Sequence, residues 1–235
     1  MRYLIFLSFL LPAVAQGQFR GNINLSDHDS KRIHFGINVG GNRSHYNFTR
    51  HPQFLNQDSI TVVESINSTG LNLAWLVNLN LSEHLDIRTY PLNLTFTEKA
   101  FQYNLKYPRV AFEEDSITTK KIQGISLALP IQLKFSSDRI ENFKVYMMGG
   151  VRGEYDFAAA KKAVGNEQLI KLNKFDYGVE AGIGFHFYFP VFVLTPELKI
   201  SYGLNNVHQR DEALKYSNVI DKINSRIISF SLTVE

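Results

Sequence analysis

The stretch Gly124–Phe135 reads GISLALPIQLKF, and its two-beat pattern decides the fold. Ile125, Leu127, Leu129, Ile131, Leu133 and Phe135 are all apolar. Between them stand Gly124, Ser126, Ala128, Pro130, Gln132 and Lys134, which are small or polar. Successive side chains of a strand point to opposite faces, so this segment predicts a strand that is greasy on one side and small or hydrophilic on the other.

The pattern returns on both sides of it. Gly70–Leu81 alternates Leu71, Leu73, Trp75, Val77, Leu79 and Leu81 against Gly70, Asn72, Ala74, Leu76, Asn78 and Asn80. Arg32–Asn42, Phe143–Phe157, Phe175–Phe189, Phe192–Leu204 and Arg226–Val234 alternate as well. Leu85–Lys99 changes parity once. Leu85, Ile87 and Thr89 share a face, then Leu92, Leu94 and Phe96 take it over, so a bulge is expected at Tyr90-Pro91. The intervening segments alternate in length. Ser44–Thr69, Ala100–Thr119, Ala158–Leu172 and Asn205–Ile223 are long and polar; Ser82–His84, Ser136–Asn142 and Phe189–Val191 are short. About eight strands with loops of this kind predict an all-β fold, a closed antiparallel up-and-down transmembrane β-barrel. Its long loops would be extracellular, its short turns periplasmic and both termini periplasmic.

Alternation alone also suits a soluble barrel with its grease inward. The polar face favours the membrane. It is rich in Gly, Ala, Asn and Ser rather than in the Lys, Glu and Thr of a wetted exterior, and such small residues suit the crowded lumen of an eight-stranded barrel. Three strands carry an apolar face without a charge, where an Arg or Lys at mid-bilayer would cost about 2–4 kcal/mol. The lumen is then expected to hold Lys134, Arg152, Glu154, Glu180, Glu197 and Lys199 as a paired charge network that fills it. Phe185, Phe187, Phe189 and Phe192 read as the periplasmic aromatic girdle, with Tyr155, Phe157, Phe175 and Tyr177 as the outer one. Trp75, in mid-strand, fits neither.

Composition sets the remaining bounds. The chain has 235 residues, 18 Phe, 11 Tyr, no Cys and a formal charge of +3 without any basic cluster, so disulfides, thiolate sites and nucleic-acid partners are not expected. Met1-Arg2, the apolar run Tyr3–Val14 and Ala13-Val14-Ala15 have the form of a secretory signal peptide over 1–15. Residues 16–31 read as a flexible periplasmic lead, and the barrel domain as 32–235. No G-x-S-x-G, H-E-x-x-H, Walker A or dinucleotide fingerprint occurs, and the seven histidines are scattered. No catalytic, cofactor-binding or metal-binding residue and no small-molecule substrate is expected. The residues themselves leave two functions open, a partner-binding barrel and a small porin-like or anchoring barrel.

One segment adds to this. Leu129, Pro130, Leu133, Lys134, Ser137, Arg139, Asn142, Tyr146, Gly149 and Gly150 follow the pattern LPxxLKxxSxRxxNxxxYxxGG. The segment resembles the PorT (SprT) outer-membrane barrels of Bacteroidetes, and the likeness extends more loosely through Leu85–Lys99 and Phe175–Phe189 to the closing SFSLTVE. The resemblance implies an outer membrane of a Gram-negative cell and a non-enzymatic accessory or assembly role in type IX protein secretion and gliding motility. The partners it implies are outer-membrane lipid and other type IX secretion proteins.

Overall fold

The computed structural model describes residues 23–52, 54, 60–108, 115–162, 171–210 and 215–235. The expected signal peptide and the first part of the lead lie outside them. The strands are β1 (Ile33–Arg50), β2 (Ile60–Ile66), β3 (Ser68–Asn80), β4 (Leu85–Leu105), β5 (Ile117–Ser136) and β6 (Phe143–Asp156). After the short helix α1 (Phe157–Lys162) come β7 (Lys171–Leu172), β8 (Phe175–Tyr188), β9 (Val193–Gly203), β10 (His208–Gln209), α2 (Lys215–Asn218) and β11 (Ile220–Val234).

Hydrogen bonding runs β4-β3-β1-β11-β9-β8-β6-β5, and β5 returns to β4, so these eight strands close into a ring. Every pairing is antiparallel. β2 pairs Leu105–Ala100 of β4, and β3 pairs Phe96–Asp86 of the same strand. The two are one crossing interrupted at Asn67, which makes the ring eight-stranded. Closure lets the ladder groups of the ring pair internally, the condition for crossing lipid.

The apolar face points outward. Ile37 is 62 %, Leu71 65 % and Phe135 57 % exposed, while Asn38, Ser126 and Gln132 are buried inside. At about 3.3 Å per residue and a tilt of about 40°, Ile125–Phe135 rises about 25 Å, the height of a lipid-facing band. Aromatic side chains edge that band at both ends. Phe143 stacks near Phe185 and Phe187, and Phe189 on Phe192, beside the short turns; Tyr155 meets Phe157 and Phe175 at the other edge. The register of β4 slips against β5 between Thr89 and Asn93, and that of β3 against β4 between Trp75 and Val77. The bulge absorbs one residue at Pro91 and keeps Leu92 and Phe96 on the lipid side. Trp75 stands opposite Leu92 at this irregularity, 56 % exposed in mid-band.

All four segments read as long loops are in part strand. β1 runs on to Arg50 and β2 begins at Ile60, within the segment read as a loop from Ser44; β4 continues to Leu105 and β5 begins at Ile117, within the segment read as a loop from Ala100. β11 likewise starts at Ile220 rather than Arg226. Beyond the band the pattern inverts. Arg43, Thr49, Lys121 and Lys222 face outward, while Tyr46, Val63, Phe101, Tyr103, Ile122 and Ile223 turn inward and pack with Val207, Tyr216 and Val219. Water surrounds these extensions, so their grease belongs inside. A polar exterior over an apolar interior has the composition of a loop when only lipid-facing strands are sought.

Candidate functional site

Inside the band the strands deliver charges to a narrow space. Arg88 on β4 is wholly buried. Its Nη1 donates to Glu197 Oε2 at 2.7 Å and to the Tyr146 hydroxyl at 3.1 Å, and its guanidinium lies 5.0 Å from the Tyr146 ring centre. Tyr146 in turn donates to Glu197 Oε2 at 2.7 Å. Lys199 Nζ stands 3.8 Å from Glu197 Oε1 and 4.9 Å above the Tyr90 ring. One guanidinium, one ammonium and one phenol thus converge on a single carboxylate across the barrel.

A second group lies nearer the short turns. Lys134 Nζ pairs with Asp86 Oδ2 at 2.7 Å and donates to His186 Nε2 at 3.2 Å. His186 Nδ1 is 2.7 Å from Thr195 Oγ1, so this ring carries its proton on Nδ1. Gln132 hydrogen-bonds Glu180, which also accepts from Ser201 at 3.3 Å. Toward the long loops Arg152 meets Glu154 at 2.9 Å and Asp176 at 3.9 Å, and Lys99 donates to Ser225 at 3.0 Å with its ammonium over Tyr46. All six sequence-derived charges, Lys134, Arg152, Glu154, Glu180, Glu197 and Lys199, lie in the lumen. The structure adds Asp86, Arg88, Lys99, Asp176 and Glu235. Between these layers the described cavities are water-sized, about 20 Å³ each. One lies among Asn38, Tyr90, Arg152, Glu180 and Lys199; the other lies among Tyr46, Lys99, Glu154 and Asp176.

The segment singled out by resemblance divides between lumen and mouth. Leu129 faces out, 53 % exposed, and Pro130 faces in, its carbonyl accepting from Thr89 Oγ1 at 2.7 Å. Lys134 and Tyr146 join the ion-pair layers. Gly150 sits where a Cβ would run into the Ile131 carbonyl, so only glycine fits that strand contact; Gly149 is free of any such crowding. Ser137 and Val145 exchange hydrogen bonds that close the β5–β6 turn.

Arg139 and Asn142 reach past the turn to the lead. Residues 24–30 form turns across the short-turn end of the barrel instead of hanging free. Arg139 donates to the carbonyls of Asn24 and Leu25, to Glu141 O at 2.8 Å and to Asp29 Oδ2 at 3.2 Å, and it lies 3.6 Å over the Tyr188 ring. Asn142 Oδ1 accepts from Asn24 N at 2.8 Å. Tyr188 and Lys144 hold the other Asp29 oxygen at 2.8 and 3.5 Å. Burial by itself would raise the Asp29 carboxyl, but the Tyr188 hydrogen bond and the Lys144 and Arg139 charges outweigh it and hold the group below its usual range. Burial and then the neighbouring His34 push the His28 imidazole down to about 4, so it is neutral near pH 7.

Sequence parity could have found Asp86 and Arg88, which alternate with Leu85, Ile87 and Thr89. Nothing in the local pattern marks His28 or Glu235, because only closure of the ring brings the two ends together.

The chain belongs to the outer membrane protein beta-barrel domain family, whose model matches residues 14–209. It is an outer-membrane barrel. Solved structures similar to it include Neisserial surface protein A, at 10 % identity over 87 % of this chain and 99 % of that one, with a TM-score of 0.40. OprG from Pseudomonas aeruginosa matches at 11 % identity over 86 % and 97 %, with a TM-score of 0.42. Ail, the attachment invasion locus protein of Yersinia pestis, matches at 11 % identity over 87 % and 98 %, with a TM-score of 0.38. No curated protein matches the chain.

Proposed function

We propose that this barrel is a non-enzymatic accessory or assembly component of type IX protein secretion, oriented with its short turns and termini in the periplasm. The observation that supports it is the filled lumen. Arg88, Glu197 and Tyr146 lock across the barrel, and the two described voids have room for about one water each, so a partner must be met by the ends of the barrel rather than by its interior. The PorT-like segment supplies the pathway, and its Arg139 and Asn142 hold the lead at the proposed periplasmic mouth.

Deletion in the source organism followed by proteomics of the culture medium tests this. The expected result is loss of a whole class of exported proteins, restored by the wild-type gene and restored poorly by Arg139→Ala. An unchanged set of exported proteins would remove the secretion role. A second reading, a small porin-like barrel, draws on the polar lining of the two cavities. Planar-bilayer recording separates them: the filled lumen predicts no steady conductance, and regular single-channel steps would favour the porin.

A further inference from the structure

At the short-turn end three potential ligands converge from separate parts of the chain. His28 comes from the lead, His34 from the start of β1 and Glu235 from the end of β11. One ring nitrogen of each histidine and one carboxylate oxygen lie within 4.8 Å of one another. The two imidazoles nearly stack, their ring centres 4.2 Å apart at 32°. We propose that His28, His34 and Glu235 form a zinc(II) site that staples the N-terminal lead to the ends of β1 and β11.

Two unmet polar groups point to a ligand here. His28 Nδ1 is buried and has no hydrogen-bond partner. The Glu235 side chain is 3 % exposed, and its Oε1 makes no hydrogen bond, with Arg88 Nη2 standing off at 3.7 Å. Leaving such groups unmet is costly, and a cation between them satisfies both at once. The surroundings also suit a metal. His34 Nε2 lies 3.0 Å from the Lys31 carbonyl and 3.1 Å from Asn80 Nδ2, so the ring is braced through that nitrogen; a ligating histidine is commonly braced through its other nitrogen in this way. Asp29, though adjacent, is already engaged by Tyr188, Arg139 and Lys144, so the ligand set stays at two imidazoles and one carboxylate.

That set selects the metal. Calcium and magnesium take shells of oxygen ligands, whereas two nitrogens and one oxygen suit zinc, with a water in the fourth position. Zinc bonds of about 2.0–2.2 Å place tetrahedral ligands about 3.4 Å apart, so the three atoms need to close by up to about 1.4 Å. The lead is a run of turns and can supply that movement.

The test uses the untagged full chain folded in detergent micelles, titrated calorimetrically with zinc chloride and, separately, with cobalt chloride under visible spectroscopy. Expected are one zinc per barrel, tetrahedral cobalt bands, and slowed hydrogen exchange over residues 24–31 when zinc is bound. His28→Ala should weaken binding at least about tenfold, and so should Glu235→Gln, while His45→Ala at the opposite end of β1 should not. His28 lies outside the strand ring, so its variant reads the site with the barrel intact even if Glu235→Gln disturbs Arg88. No zinc uptake by the wild type, or uptake unchanged in His28→Ala, would overturn the site. Binding that leaves exchange over 24–31 unaltered would overturn the staple.

Discussion

Glu197 shows how much one side chain carries in this lumen. It takes hydrogen bonds from Arg88 and Tyr146 and faces the Lys199 ammonium, with no exposed surface. Removing it strands a guanidinium in a low-dielectric interior, and breaking a buried pair in this way costs about 3–5 kcal/mol. Glu197→Ala is therefore expected to lower the unfolding midpoint in urea strongly. Arg88→Met combined with Glu197→Met should recover most of the loss, because the pair's own desolvation cost disappears with it. Equal midpoints for the single and double variants would contradict this account. At the mouth, Arg139 acts on backbone. Leu25 and Glu141 both adopt left-handed conformations, with φ of 49° and 53°, and Arg139 binds the carbonyl of each. Two strained residues that cost about 1–2 kcal/mol apiece are offset by one fork of donors.

The same residues show how far the chain could be read unaided. Lys134, Arg152, Glu154, Glu180, Glu197 and Lys199 all alternate with lipid-facing residues, so strand parity alone assigns them to the lumen. Who pairs with whom was not legible, because Arg88 and Glu197 stand on strands 109 positions apart that meet only across the closed ring. The lead was harder still. Its polar run 16–31 has no period, and what holds it is Arg139 on a distant turn. Alternation reports which way a side chain points within one strand and carries no information about what lies opposite.

At the scale of elements, the long-loop end is the region where pH should act. His208 on β10 sits 2.9 Å from Ser217 Oγ of α2 through Nε2 and 3.4 Å from the Asp221 carbonyl through Nδ1. Burial lowers it below its ordinary 6.5; the Asp221 carbonyl works against that and the Arg210 charge adds to it. The unfolded loop therefore takes up the proton first. The stability this histidine lends is present above about pH 6.5 and is lost as pH falls below it. Hydrogen-exchange protection over residues 206–210 and 215–223, taken relative to the intrinsic exchange rate at each pH, should fall between about pH 7 and about pH 5 in the wild type and change much less in His208→Gln. A wild-type response no larger than the variant's would count against His208 as its source. The strand extensions explain why this region has a core at all. β4 and β5 continue past the lipid with their inward faces apolar, and Tyr216 of α2 and Val219 just after it pack with them.

For the whole molecule, two environments divide the work. The band is held by ladder closure in lipid around a lumen filled with paired charges; the projecting end is stabilised by ordinary apolar burial in water. Phe101 is wholly buried at the centre of that outer core, against Tyr46, Phe48 and Tyr103. Phe101→Ala should remove about 3–5 kcal/mol of local packing, so protease added to the purified barrel should cut the long loops. The membrane-embedded strands should stay intact and resistant. Cleavage unchanged from wild type, or loss of the entire barrel, would contradict this division.

The inversion of polarity along β1, β4, β5 and β11 also constrains the assembly of the ring. Alternation by itself forbids a strand to slide by one residue, since every side chain would change face, but it tolerates a slide by two. These strands carry a second mark, the level at which grease crosses from the outside to the inside. A slide by two would carry Arg43 or Gln123 down into lipid, or lift Ile125 and Ile228 into water. Each long strand therefore behaves like a ruler with one engraved notch, and the ring closes in the single alignment where all the notches lie level.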